Sequence, residues 1–277
     1  MSDHYRNHVA VVTGAASGMG RELAVELARR GARLALCDVD AAGLAETAAR
    51  CRVQRAEVLT EIVDVSQYEQ VQRFADAVIE RYGVVNDLFD NAGVGFVGTV
   101  ERSELKDIVR VVDIDFWGVV HGVKAFLPHL IASGAGRIAN TSSVFGLFSA
   151  PSQSAYNAAK FAVRGFTESL RQEMLIAGHP VSVSVVYPGG IRTAIAANAT
   201  GVDSAELADL AALFERNAMT SPERAARVIL DGTAAGKPKI LVGPDAKVGD
   251  LIVRVLGASY MRLLAKASAR LFSAGPR

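Results

Sequence analysis

The sequence predicts an α/β protein built on a doubly wound parallel sheet of about seven strands, with helices on both faces. Two observations carry this. Short β-branched runs alternate with longer segments of helical periodicity, the rhythm of strands joined by crossover helices. The turn between the first run and the first helical segment is rich in glycine. With 277 residues, half of them hydrophobic, the chain has material for one substantial core, so residues 1–277 are expected to form a single domain.

The elements follow in order. Val9-Ala10-Val11-Val12 opens the sheet, and 33–37, 58–63, 87–89, 137–141, 181–186 and 240–242 supply the further strands. Helical patterns fill 19–30, 41–52, 67–82, 101–133, 154–177 and 222–235. Two segments break the rhythm. Residues 191–220 connect the sixth strand to the next helix at far greater length than such a connection needs, which reads as a lid over the substrate. Residues 249–272, within a C-terminal extension of about 247–277, read as a helix with an apolar face and with Arg254, Arg262, Lys266 and Arg270 basic. Its apolar face has to be buried, against its own body or another subunit, with reversible membrane docking as an alternative.

Thr13-Gly14-Ala15-Ala16-Ser17-Gly18-Met19-Gly20 follows the first strand and opens the first helix. Glycine permits the tight turn and close backbone approach, while a helix N-terminus offers free N–H groups to a pyrophosphate. The spacing departs from GxGxxG, and a purely structural turn is the other reading. Asp38 ends the second strand eighteen residues past Gly20, where an acid accepts hydrogen bonds from a ribose. It selects NAD, because a 2′-phosphate about 4 Å from the carboxylate meets roughly 4 kcal/mol of repulsion per charge at an effective dielectric of about 20. Neither Ser17 nor Val39 offers a compensating cation. Asp38 can alternatively serve only as the cap of the second helix.

Tyr156-Asn157-Ala158-Ala159-Lys160 places a phenol and an ammonium on one face of a helix, since residues i and i+4 point the same way. A lysine beside a phenol favours the phenolate, so the group can act as a base closer to neutrality. On spacing alone the pair also fits an ordinary helix surface.

Taken together, these pieces resemble the classical short-chain dehydrogenase/reductase family over about residues 7–244. The motifs are Thr13-Gly14-xxx-Gly18-x-Gly20, Asp38, Asp64-Val65, Asn91-Ala92-Gly93, Ser142-Ser143, Tyr156-xxx-Lys160 and Pro188-Gly189-Gly190-Ile191-Arg192-Thr193. The resemblance implies a Rossmann-type fold and a cofactor site of Gly14, Ser17, Gly18, Met19, Gly20, Asp38, Asp64, Val65, Asn91, Ala92, Gly93, Tyr156, Lys160, Pro188, Gly189, Ile191 and Thr193. It also implies catalysis by Ser143, thirteen residues before Tyr156, with Ser142 as the runner-up. Ser143 would hold the substrate oxygen, Tyr156 would exchange the proton, and Lys160 would tune the tyrosine and bind the nicotinamide ribose. A homodimer or homotetramer joined through the helices at 101–133 and 154–177 is implied as well.

Two positions depart from the family pattern: Asp90 where an Asn is usual, and Asp115 where the family places a catalytic Asn that helps hold a water linked to the lysine. An ionised aspartate accepts hydrogen bonds but donates none. This keeps open a dinucleotide-binding protein with weak or no turnover that acts through interaction. A nucleotide-sugar epimerase or dehydratase of the extended branch fits less well, for the chain is short and its glycine spacing differs.

Residues expected at the substrate mouth are apolar: Val94, Phe96, Phe145, Leu147, Phe148 and Ile195, with Leu207, Leu210, Leu213 and Phe214 in the lid. A hydrophobic alcohol or ketone is the expected substrate. Thirty basic residues against twenty-nine acidic ones, a formal +1, offer no field for nucleic acid. Cys37 and Cys51 form no disulfide framework or metal motif, the five histidines show no ligand spacing, and no metal is expected. No apolar run reaches the roughly 18 residues of a membrane span, so a soluble protein of the reducing cytoplasm is expected.

Overall fold

A computed structural model describes residues 4–201, 212, 216 and 218–272. Its seven strands are β1 (Val9–Thr13), β2 (Arg33–Asp38), β3 (Val58–Ile62), β4 (Asp87–Asp90), β5 (Gly136–Thr141), β6 (Val181–Pro188) and β7 (Lys239–Val242). They form one parallel sheet in the order β3-β2-β1-β4-β5-β6-β7. Every residue of β1 and β4 is buried, as expected of central strands covered on both faces; β1 reads as an apolar run ending in Thr13, and β4 holds Leu88 and Phe89 between buried Asp87 and Asp90. Because the chain runs outward in both directions from β1 and β4, a crevice opens at their carboxyl ends, where sheets of this kind bind ligands.

The helices are α1 (Gly18–Arg29), α2 (Ala41–Val53), α3 (Tyr68–Tyr82), α4 (Leu105–Val112), α5 (Gly118–Ala132), α6 (Ser154–Ala177), α7 (Pro222–Ala234), α8 (Pro244–Leu256) and α9 (Tyr260–Phe272). Leu23 and Leu27 of α1 and Ile229 and Leu230 of α7 cover one face of the sheet. Phe74 and Val78 of α3 and Phe126 and Leu130 of α5 cover the other. Local chemistry sets the ends: Asp40 caps α2 by accepting from the N–H groups of Ala42 and Gly43, and Ser221 caps α7 just before its opening Pro222.

Two expectations need correction. The helix expected over 101–133 begins at Leu105, and one π turn, Asp113–Trp117, joins α4 to α5. The helix expected over 249–272 is two, divided where Gly257 takes a left-handed φ of 50° that side chains disfavour. Of the lid expected over 191–220, the two ends are bridged to each other, Arg192 N–H to Thr220 O at 3.0 Å and Thr220 N–H to Gly190 O at 3.3 Å. The lid residues Leu207, Leu210, Leu213 and Phe214 lie outside the described residues.

Candidate active site

The carboxyl edge of the sheet gathers most of the expected residues, because each follows the end of a strand. Gly14 leaves β1 at φ 66°, and a Cβ there would lie 2.6 Å from the Ala92 backbone. Gly20 is tighter still, since a Cβ would fall 2.0 Å from Gly14 O. Gly18 packs under Thr193, which brings the segment after β6 over the turn. Asn91 fastens the turn from the far side: its Nδ2 donates to Thr13 O (3.1 Å) and Gly14 O (3.2 Å), while Thr13 Oγ1 accepts from the N–H groups of Asn91 and Ala92. Ser17 precedes α1 without spending its side chain on a cap, and no acid occupies the first helical turn. The helix N-terminus is thus free to face an anion. Met19 packs its side chain on the core.

Asp38 Oδ2 accepts from Ala16 N–H at 2.8 Å and Oδ1 from Asp40 N–H at 3.1 Å, which holds the carboxylate against the glycine turn. Asp40 makes the cap of α2, so the capping reading of Asp38 falls away. Asp64 after β3 accepts from the N–H and hydroxyl of Ser66, and Val65 is buried with its carbonyl 2.8 Å from His121 Nδ1, a bond in which the ring N–H donates. After β6, Gly189 leaves room for Asp245, whose Oδ2 accepts from Gly190 N–H at 2.5 Å. Ile191 is buried behind it.

The second cluster lies across β5, α6 and the π turn. Ser142 and Ser143 differ as neighbours at a strand end do, facing opposite ways. Ser142 Oγ donates to Lys160 O at 2.7 Å and is committed to α6. Ser143 Oγ accepts from Phe145 N–H and is near enough to the phenol to lower its pKa, so Ser143 is the serine the structure places beside Tyr156. Lys160 Nζ lies 5.5 Å from the centre of the Tyr156 ring and donates to Thr141 O at 3.2 Å.

Asp115 completes the cluster in a way the sequence did not show. Rather than reaching the lysine through water, its Oδ2 stands 3.1 Å from Lys160 Nζ, and its Oδ1 accepts from Val94 N–H at 2.8 Å. The π turn aims it there, and Gly93 leaves the space, since a Cβ at Gly93 would sit 3.3 Å from both Asp115 Oδ1 and Lys160 Nζ. Both side chains are buried, Lys160 to 3% exposure.

The electrostatics follow from burial and this contact. Burial alone would pull the Lys160 pKa down, but Asp115 and then the phenol push it above the ordinary lysine value. Burial pushes Asp115 up, against the opposing pull of Lys160 and Val94 N–H. The two directions disagree about which form of the pair wins. Direct ionic contact decides for the charged lysine. Tyr156 is held above the usual phenol value, first by burial; Lys160 pulls it down, Asp115 pushes it up, and Ser143 pulls it down. The expected lowering by lysine is therefore present but outweighed.

Some positions were misread or missed. Phe96 and Leu147, expected at the mouth, are core residues packed with Val111 and Ala155 and with Val185 and Tyr187. Val94, Phe145, Phe148 and Ile195 are half-buried. Phe145 meets the Tyr156 ring edge to face at 6.3 Å. Asn157, inside the Tyr-Lys stretch, holds the mouth to α6: Nδ2 donates to Phe145 O and Phe148 O, and Oδ1 accepts from Ala150 N–H. A polar residue between two site residues on a helix was the available signal.

The chain matches the family model described as short chain dehydrogenase over residues 8–202. It belongs to the short-chain dehydrogenase/reductase family, a family of oxidoreductases with this Rossmann-type sheet. Over 269 residues it is 52% identical to the oxidoreductase SadH of Mycobacterium tuberculosis, spanning 97% of this chain and 98% of that one. It is 31% identical to the oxidoreductase YxnA of Bacillus subtilis, over 93% of this chain and 70% of that one. A Burkholderia phymatum short chain dehydrogenase/reductase, solved in complex with NAD, superposes with a TM-score of 0.86 at 35% identity, covering 92% of this chain and 95% of the other. Levodione reductase superposes at 0.78 with 30% identity over 88% and 98%.

Proposed function

We propose that this chain transfers a hydride between NAD and a hydrophobic secondary alcohol or ketone, with Tyr156 exchanging the substrate proton. The convergence of Ser143, Tyr156 and Lys160 beside the glycine turn carries the proposal. The residues present suit the cofactor: an uncapped helix N-terminus for the pyrophosphate, Asp38 beside it for the adenosine ribose, and Thr193 over Gly18 toward the nicotinamide end. The solved relative bound to NAD supports the same choice. When bound, the nicotinamide takes or gives the hydride.

The rest falls to the chain. Ser143 holds the substrate oxygen and stabilises charge developing on it. Tyr156 gives a proton to a ketone oxygen or takes one from an alcohol. Lys160, fixed by Thr141 O and Asp115, keeps a positive charge below the phenol and offers donors to the nicotinamide ribose. Apolar Phe145, Phe148, Val94 and Ile195 beside the phenol support a hydrophobic substrate. A single domain over 1–277, closed by a lid based at 191 and 220, accords with these contacts. Exposed Leu105, Val109, Trp117 and Phe161 on the long helices support a homodimer or homotetramer. The free, buried Cys37 and Cys51 suit a reducing cytoplasm.

One observation favours a second reading, a dinucleotide-binding protein with weak turnover: Asp115 takes up lysine charge that would otherwise act on the phenol. Titration with NAD and NADP, followed by absorbance of reduced nicotinamide against a series of hydrophobic secondary alcohols, tests both. Tighter NAD binding with turnover is expected. NAD binding with no turnover in either direction would favour the second reading, and equal NADP binding would remove the cofactor assignment.

A further inference from the structure

The two C-terminal helices expose what helices of a globular body normally hide. Val248, Leu251, Ile252 and Val255 recur at helical spacing along α8 and are all exposed, Val255 to 73%, and Met261 and Leu263 are exposed on opposite sides of α9. The opposite side of α8 is the one that packs: Ala246 is buried, and Gly249 meets Phe148 so closely that a Cβ would lie 2.8 Å from its ring. Charge on these helices is sorted as well. Lys247, Arg254, Arg262 and Lys266 are exposed. The acids are turned inward, Asp245 to Gly190 N–H and Asp250 to Lys239 and Arg254. Among the described residues of α8 and α9, no acid is exposed.

From this we infer that α8 and α9 dock on an anionic lipid surface. An amphipathic helix with cations flanking an exposed apolar face lies in the headgroup region, its apolar side among the acyl chains and its cations at the phosphates. Neither helix is long and apolar enough to cross a bilayer, so the contact is peripheral. A second copy of the chain suits the face less well, because a two-fold contact sets the same four cations against themselves. The packed side of these helices lies at the mouth. Tyr260 Oη accepts from Ser149 N–H at 2.9 Å, and rings run from Tyr260 through Phe148 and Phe145 to Tyr156 at 6.2, 5.6 and 6.3 Å. Docking therefore brings the mouth near the bilayer, where, on the hydrophobic-substrate reading, the substrate is concentrated.

The test is co-sedimentation of the full chain with vesicles of phosphatidylcholine alone or mixed with phosphatidylglycerol. Binding to the mixed vesicles, weakened by salt, is expected. Lys247→Gln with Arg262→Gln and Lys266→Gln should weaken it about a hundredfold, at about fivefold per cation. Leu251→Ser with Val255→Ser should also release the protein while leaving its solution mass unchanged. These side chains are exposed, so thermal unfolding should match wild type. The inference is overturned by no binding to mixed vesicles, by binding that ignores lipid charge and the neutralised cations, or by a smaller solution mass of the serine variant, which would make the face a contact between copies. No arm uses cofactor or substrate, so failure here is distinct from failure of the proposed reaction.

Discussion

Removing the carboxylate of Asp115 while keeping its shape, as Asp115→Asn, strands a buried cation. At 3.1 Å and an effective dielectric of about 20, the attraction between Lys160 and Asp115 is about 5 kcal/mol before the cost of dehydrating both is counted. The amide would leave one side-chain acceptor where there were two, for Val94 N–H and the ammonium together, and no counter-ion beside Thr141 O. Breaking a buried pair on one side typically costs about 3–5 kcal/mol, which for a chain of this size corresponds to a fall in Tm of roughly 6–20 °C. Lys160→Met should be destabilising too, since it strands the acid. The double variant should recover much of the loss, because no unpaired charge is left inside. Urea unfolding of the four proteins without cofactor, at unchanged m-value, measures the cycle. Two losses that add to within about 0.5 kcal/mol would refute the coupling. The pH dependence gives an independent check. The folded pKa of Lys160 lies above its ordinary value of 10.5, so the pair's contribution is fully present below that value and is lost as pH rises through the folded one. The gap between wild type and Asp115→Asn should close in that alkaline range.

Four further outcomes follow from the site. Tyr156→Phe should keep NAD binding and lose turnover by roughly 10²–10⁴-fold, whereas Lys160→Ala should weaken both; substantial residual activity in Tyr156→Phe would move the proton to another group. Asp38→Ala should narrow the preference for NAD over NADP in a binding titration, and an unchanged ratio would remove Asp38 from cofactor choice. Because burial keeps Tyr156 protonated through neutrality, alcohol oxidation should speed up as pH rises toward the phenol value, and a rate independent of pH over that range would reject Tyr156 as the base. Asp90 is buried with no partner on either oxygen, and burial holds its pKa well above the usual value. Its neutral form is the stable one at low pH, and stability should fall as pH rises through the folded pKa. Asp90→Asn should flatten that fall, and parallel stability–pH curves would show that Asp90 does not titrate there.

The frame of this protein was legible because central strands and crossover helices leave coarse marks. All seven strands, and the helix at 154–177, stand where their apolar pattern put them. Site residues at strand ends were legible for the same reason, since each follows a recognisable run. What depended on the third dimension was not. Phe96 and Leu147 follow strands as mouth residues would, yet their neighbours bury them. Asp38 and Asp40 are equally good caps on paper, and only the hydrogen bonds separate them. The Asp115–Lys160 contact joins positions 45 residues apart in sequence and depends on a helix irregularity that has no compositional signature. Asp245 stands before the helix expected from 249, and its hold on Gly190 spans 55 residues that no local pattern links.

The π turn at Asp113–Trp117 makes α4 and α5 one continuous rod that contains a residue more than its turns require. Such a rod tolerates shortening without breaking, but at a cost in azimuth. Deleting one residue in this turn would restore ordinary α geometry and swing everything before it by about 100° relative to α5. Val111 would leave its buried seat, and Leu105 and Val109 would turn to a different side of the rod from Trp117. We expect a single-residue deletion here to retain helical circular dichroism yet lose both the Asp115 contact and any assembly formed through those side chains.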